Sequence, residues 1–109
     1  MSESKLSLKT NPNLKDFQEY VTELEKERGF IKQTVIEKCL MLGEEVGELY
    51  KAIRKNQNIS VDANSKIGSI DEELADIFIY LCAIANRNGI DLEEAFRQKE
   101  EINKTRVWK

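Results

Sequence analysis

The segment from Ile70 to Arg87 constrains this chain more than any other. Set out at ~100° per residue, Ile70, Leu74, Ile77, Leu81 and Ala85 form one apolar stripe. Ile79, Cys82 and Ile84 fall well outside it. A helix that is apolar on most of its circumference must be covered on most of it. The chain has 109 residues, one domain's worth, and four helices can hardly surround one of their own number. The expected fold is therefore all-α, a four-helix subunit whose helices pack in an oligomeric bundle, a dimer or a higher oligomer.

The rest of the chain reads as helices separated by short stops. Only 5 Gly and 1 Pro are present, too few for a loop-rich or β-rich architecture. Residues 1–13 read as a disordered lead-in containing Pro12, followed by one domain over residues 14–109. A first helix is expected over residues 14–28, with Leu14, Phe17, Val21 and Leu24 at helical spacing and Gly29 as its stop. Thr34 is a plausible cap for a second helix ending near Lys55. Polar residues 56–68 read as a loop. Ser69 and Glu72 fit a capping box that starts the third helix, which Asn88 and Gly89 end. Asp91 caps a fourth helix reaching about Thr105.

Charge narrows the partners. A net charge of -3 without a long basic run argues against nucleic acid, whose phosphates demand clustered Lys and Arg. No apolar stretch is long enough to span a bilayer, so no membrane partner is expected. The polar N-terminus lacks the apolar core of a secretory signal, which points to the cytoplasm. Cys39 and Cys82 each lie in apolar helical segments and read as buried free thiols. Histidine is absent. Acid–base or metal chemistry must run on carboxylates, Lys, Tyr or water.

The carboxylates are grouped. Glu44, Glu45 and Glu48 share one face of the second helix; Glu73 and Asp76 share a face of the third. Like charges at these spacings repel by about 0.2–0.5 kcal/mol per pair. On the helical wheel Glu45 lies beside Leu42 and Leu49, and Asp76 lines up with Tyr80 and Ile84. The acids thus fall at the edge of the buried surface, where like charges are costly unless a cation joins them. Helical bundles build carboxylate metal sites in this way. An all-oxygen ligand set points to Mg²⁺ or Mn²⁺. The competing reading is a solvated acidic face, with Glu72 and Glu73 welcomed by the helix N-terminus. Gly43 and Gly47 fall on one side of the second helix and suggest close approach of another helix, or else room for a ligand. Lys99, Asn103 and Arg106 recur at helical spacing; they form either a solvated helix end or, with Arg87, a phosphate clamp.

The pattern Glu44-Glu45-x-x-Glu48 followed by Glu73-x-x-Asp76 resembles the MazG-like all-α NTP pyrophosphohydrolases. The likeness runs over residues 14–106. It is sharpest in Asp76-Ile77-Phe78-Ile79-Tyr80, Arg87, Lys99 and Asn103, which look like the short dCTP-pyrophosphatase-type branch. The resemblance implies hydrolysis between the α and β phosphates of a nucleoside triphosphate, giving the monophosphate and pyrophosphate. It implies Mg²⁺ on Glu45, Glu48, Glu73 and Asp76, with Glu44 a further ligand or base beside Glu45. Tyr80 would contact the nucleotide near its sugar, and Lys99 and Asn103, with Arg87 as a further candidate, would hold phosphates. One departure concerns the base. Where dCTP-type members resemble one another in a Trp beyond the first motif, this chain has Lys55. Phe17, Tyr20 and Phe30 are candidates for an aromatic wall in its place, so dCTP, a modified pyrimidine and other bases stay open. Two rivals remain: phosphoribosyl-ATP pyrophosphohydrolase, with the same scissile bond, and a catalytically silent helical oligomer that binds a protein.

Overall fold

In the computed structural model, which describes residues 3–108, four helices run in order: α1 (Leu14–Glu27), α2 (Val35–Asn56), α3 (Ile70–Arg87) and α4 (Leu92–Asn103). No strand occurs among the described residues. Each start is chemically marked. Asn13 accepts from the Asp16 backbone N–H at 2.9 Å, and the Asp16 carboxylate accepts from Asn13 N–H at 2.9 Å, a reciprocal cap. The Thr34 hydroxyl accepts from Glu37 N–H at 3.1 Å, and the Asp91 carboxylate from Glu94 N–H at 3.0 Å. At α3 the Ser69 hydroxyl donates to the Glu72 carboxylate at 2.9 Å.

The ends of α1, α2 and α3 obey one rule. Gly29 (φ 77°) and Gly89 (φ 64°) take the left-handed conformation open to glycine. Phe30 N–H then reaches back to Glu25 O at 2.8 Å, and Ile90 N–H to Ala85 O at 2.9 Å. Both are the wide closure of a Schellman motif. Asn58 (φ 59°) does the same for α2, with Ile59 N–H on Arg54 O at 2.8 Å.

Two compact units result. The first holds the residues up to Lys32 and those from Ala85 onward. In it α1 packs against α4, and Val21, Leu24 and Ala85 are buried. A polar clip ties α1 to the turn before α4. The Gln18 amide donates to Asn86 Oδ1 at 3.0 Å and to Ile90 O at 2.8 Å, and its Oε1 accepts from Leu92 N–H at 2.9 Å. Asn86 in turn donates to Gln18 O at 2.8 Å and Thr22 Oγ1 at 3.1 Å. Buried amides satisfied this fully fix one register between the segments they join. Residues 3–13 contain no helix or strand; Lys5 N–H bonds Glu27 at 3.3 Å and Lys9 pairs with Asp16 at 3.2 Å.

The second unit, Gln33–Ile84, holds α2 and most of α3. Its buried residues are Lys38, Ala52, Glu73, Cys82 and Ala83, so its interior is small and partly charged. The stripe expected to be covered is only partly so in a single chain: Ala85 is buried and Ile70 and Ile77 half-buried, but Leu74 is 51% and Leu81 44% exposed. The buried positions of α3 are Glu73, Cys82, Ala83 and Ala85, and they do not form one face: Glu73 and Cys82 are about 180° apart on the helical wheel. Two expectations are corrected here. Only Cys82 is buried, whereas Cys39 is exposed because it follows Lys38, which takes the inward position of that turn. No neighbour lies within 4 Å of a Cβ built on Gly43 or Gly47, so no other helix of this chain approaches them.

Candidate functional site

Within the second unit, α2 and α3 bring carboxylates together. Glu45 from α2 and Glu73 and Asp76 from α3 each offer an oxygen, and these atoms all lie within 4.8 Å of one another. Burial grades across the group: Glu73 is buried, Glu45 half-buried and Asp76 exposed. A spacing of three in a helix of about 3.6 residues per turn explains the α3 pair, since positions 73 and 76 share a face. Glu45 joins them from the stripe Lys38, Glu45, Ala52, whose members recur every seven residues along the inward side of α2.

Crowding has an electrostatic consequence. The Glu45 carboxyl is pushed from its ordinary 4.5 up to about 7. Desolvation is the main cause, followed by a hydrogen bond with Glu73 and the negative charges of Asp76, Glu73 and Glu48. Three acids sharing so small a volume favour either a proton or a cation between them. Their donor set, oxygen throughout with one buried member, suits a hard divalent cation.

The other residues singled out in the sequence divide by location. Glu48 is half-buried beside the group and meets Lys51 at 3.7 Å. Glu44 is exposed. Tyr80 is half-buried, and its phenol is held above its ordinary value by desolvation and by the charges of Glu45, Asp76 and Glu44, so it stays protonated. Arg87 and Phe30 meet in the first unit: the guanidinium donates to Phe30 O at 3.0 Å and to Glu25 at 2.6 Å. Lys99 is exposed on α4, Asn103 half-buried at its end, and Arg106 exposed beyond it. Phe17 and Tyr20 are half-buried on α1. Cys82, its thiol pushed up to about 11 by burial, is no nucleophile at neutral pH.

Two features escaped the sequence reading. Lys38 is buried at 2% exposure, its ammonium 5.5 Å from the Tyr80 ring centroid, a cation over an aromatic face. Its spacing of seven from Glu45 is the signal that places it inward. Glu25, the partner of Arg87, lies 62 residues away along the chain, and no local pattern announces it.

The chain is similar to known proteins. The family model of the MazG nucleotide pyrophosphohydrolase domain matches residues 33–106, which include all five acids. Two crystal structures of iMazG from Vibrio DAT 722 are similar to this chain. The Ctag form is 32% identical with a TM-score of 0.61, covering 86% of this chain and 100% of its own. The Ntag form is 31% identical with the same TM-score of 0.61, covering 90% and 100%. No curated protein sequence matches significantly. An all-α fold with an acidic cluster and these likenesses define a nucleotide pyrophosphohydrolase. The chain belongs to the MazG nucleotide pyrophosphohydrolase domain family.

Proposed function

We propose that this protein is a Mg²⁺-dependent pyrophosphohydrolase that cleaves a (deoxy)nucleoside triphosphate, with dCTP or a modified pyrimidine as candidates, to the nucleoside monophosphate and pyrophosphate. The observation that carries the reading is the meeting of Glu45, Glu73 and Asp76 within 4.8 Å. These three, with Glu48, would hold the ion, and Mn²⁺ would substitute for Mg²⁺. A bound Mg²⁺ supplies charge neutralisation and Lewis acidity toward the phosphates.

The protein's own groups do the rest. Glu44 is exposed beside the cluster and serves as a further ligand or as the base that orients the attacking water. Glu45, raised to about 7 in the metal-free cluster, gives up its proton when the ion binds. Tyr80 keeps its hydroxyl proton and can donate to a sugar oxygen. Lys99, Asn103 and Arg106 are assigned to the phosphates and Phe30 to the base. Arg87, whose Nη2 is engaged by Glu25 and Phe30 O, is a further candidate phosphate ligand. A homodimer or homotetramer in the cytoplasm is part of this proposal.

The test is a panel of nucleoside triphosphates assayed for pyrophosphate release with Mg²⁺. Turnover is expected on at least one pyrimidine deoxynucleotide, lost in EDTA and restored by Mg²⁺ or Mn²⁺. Turnover in metal-free buffer would overturn the metal reading. Strong preference for phosphoribosyl-ATP would move the substrate class.

A further inference from the structure

Gly68, the second residue before α3, lies against the deepest carboxylate of the cluster. A Cβ built on it would clash with the Glu73 Oε1 atom and lie 3.3 Å from Glu73 Cδ and 3.8 Å from Glu72 Oε2. The cause is helical geometry. Side chains in an α-helix lean toward the N-terminus and cover the turn before their own Cα. Glu73 makes its backbone bond to Ser69 O at 3.1 Å, so it stands in the first turn of α3, and its carboxylate leans back over residue 68.

Backbone conformation does not demand glycine there. The positive-φ residues are Asn11, Gly29, Asn58 and Gly89, and Gly68 is not among them. An alanine would thus be compatible with the chain path. It conflicts only with the end of the Glu73 side chain, which would yield before the backbone did. Glu73 is 7% exposed, so it has little free space to move into, and displacement takes its oxygen away from Glu45 and Asp76.

We infer that Gly68 is a positioning residue of the metal centre: the missing side chain is the space in which the Glu73 carboxylate rests. This rests on the metal reading given above. Gly68→Ala then weakens metal binding while leaving the fold intact, and its effect passes through Glu73 alone.

The experiment is a thermodynamic cycle. Wild type, Gly68→Ala, Glu73→Gln and the double variant are titrated with Mn²⁺ up to millimolar concentration and followed by electron paramagnetic resonance. Metal-free melting temperatures are taken alongside. Gly68→Ala is expected to weaken Mn²⁺ binding by about tenfold or more, as changes beside a ligand do. Its metal-free melting temperature should be unchanged or slightly raised, because alanine narrows the unfolded ensemble. In the Glu73→Gln background the same substitution should cost far less affinity. Wild-type affinity in Gly68→Ala, an equal loss in both backgrounds, or a large drop in its metal-free melting temperature each overturns the inference. Failure of the wild type itself to bind Mn²⁺ overturns the metal reading instead.

Discussion

Glu45 is the residue through which solution pH reaches the cluster. Its carboxyl is raised from 4.5 to about 7, so between those values the folded protein holds a proton that the unfolded chain has lost. Stability therefore falls as pH rises across that window. Asp16 and Asp71 have lowered values and act in the opposite sense, but from an ordinary 3.8 downward, below this range. Metal-free melting temperature should decline between pH 5 and about pH 7. Added Mg²⁺ should raise it more at pH 8 than at pH 5, since ion and proton compete for the same oxygens. Calorimetric melts with and without Mg²⁺ check this, and a Mg²⁺ effect independent of pH would count against Glu45 as a ligand. Charge can also be removed outright. Glu48→Gln and Asp76→Asn keep side-chain shape, and each should lower turnover by orders of magnitude. The metal-free protein should be at least as stable, because repulsion is relieved. Normal turnover in both variants would remove the active-site assignment, and loss of metal-free stability would mark these groups as structural ion pairs.

At the level of elements, much was legible because helix ends are local chemistry. Thr34, Ser69, Asp91, Gly29 and Gly89 each act within a few residues, and the helices begin and end within two residues of where those signals put them. Asn13 belongs to the same class. Its bonds with Asp16 close both ways, so Asn13→Ala should destabilise the protein by about 1 kcal/mol, readable in a urea titration as a lower midpoint with unchanged slope. A shift no larger than that of an exposed surface alanine would show that the cap contributes nothing. The acidic cluster was half legible. The spacing of Glu73 and Asp76 is set by one helix, whereas the arrival of Glu45 depends on a loop of polar residues that carries no such periodicity. Burial was less legible still. Glu73 reads as a residue welcomed by the helix N-terminus, yet it is the most enclosed of the three acids. Gln18 with Asn86, and Glu25 with Arg87, pair across 68 and 62 residues. Such pairs follow from packing, which single-helix patterns do not encode.

For the molecule as a whole, the uncovered apolar side chains bear on assembly. Ile36 is 73% and Leu40 67% exposed on α2, on the same side as Gly43 and Gly47 with their empty surroundings. Leu74 and Leu81 add exposed area on α3. Fully burying one such side chain is worth roughly 1.5–3 kcal/mol, so leaving four in water is a heavy loss for a 12.6 kDa chain with so few buried apolar residues. A second copy with the same open faces removes it, and a two-fold axis sets like surface against like. Light scattering at micromolar concentration should therefore give at least twice the mass of one chain. Leu40→Glu places a charge at the centre of the open side of α2, and Glu is a good helix former, so the helix itself is not weakened. That variant should shift the protein toward the monomer while circular dichroism still reports helix. A wild-type monomer would show that the exposed apolar faces are tolerated uncovered. An unchanged oligomer in Leu40→Glu would put the interface elsewhere, on the side of α3 that carries Leu74 and Leu81.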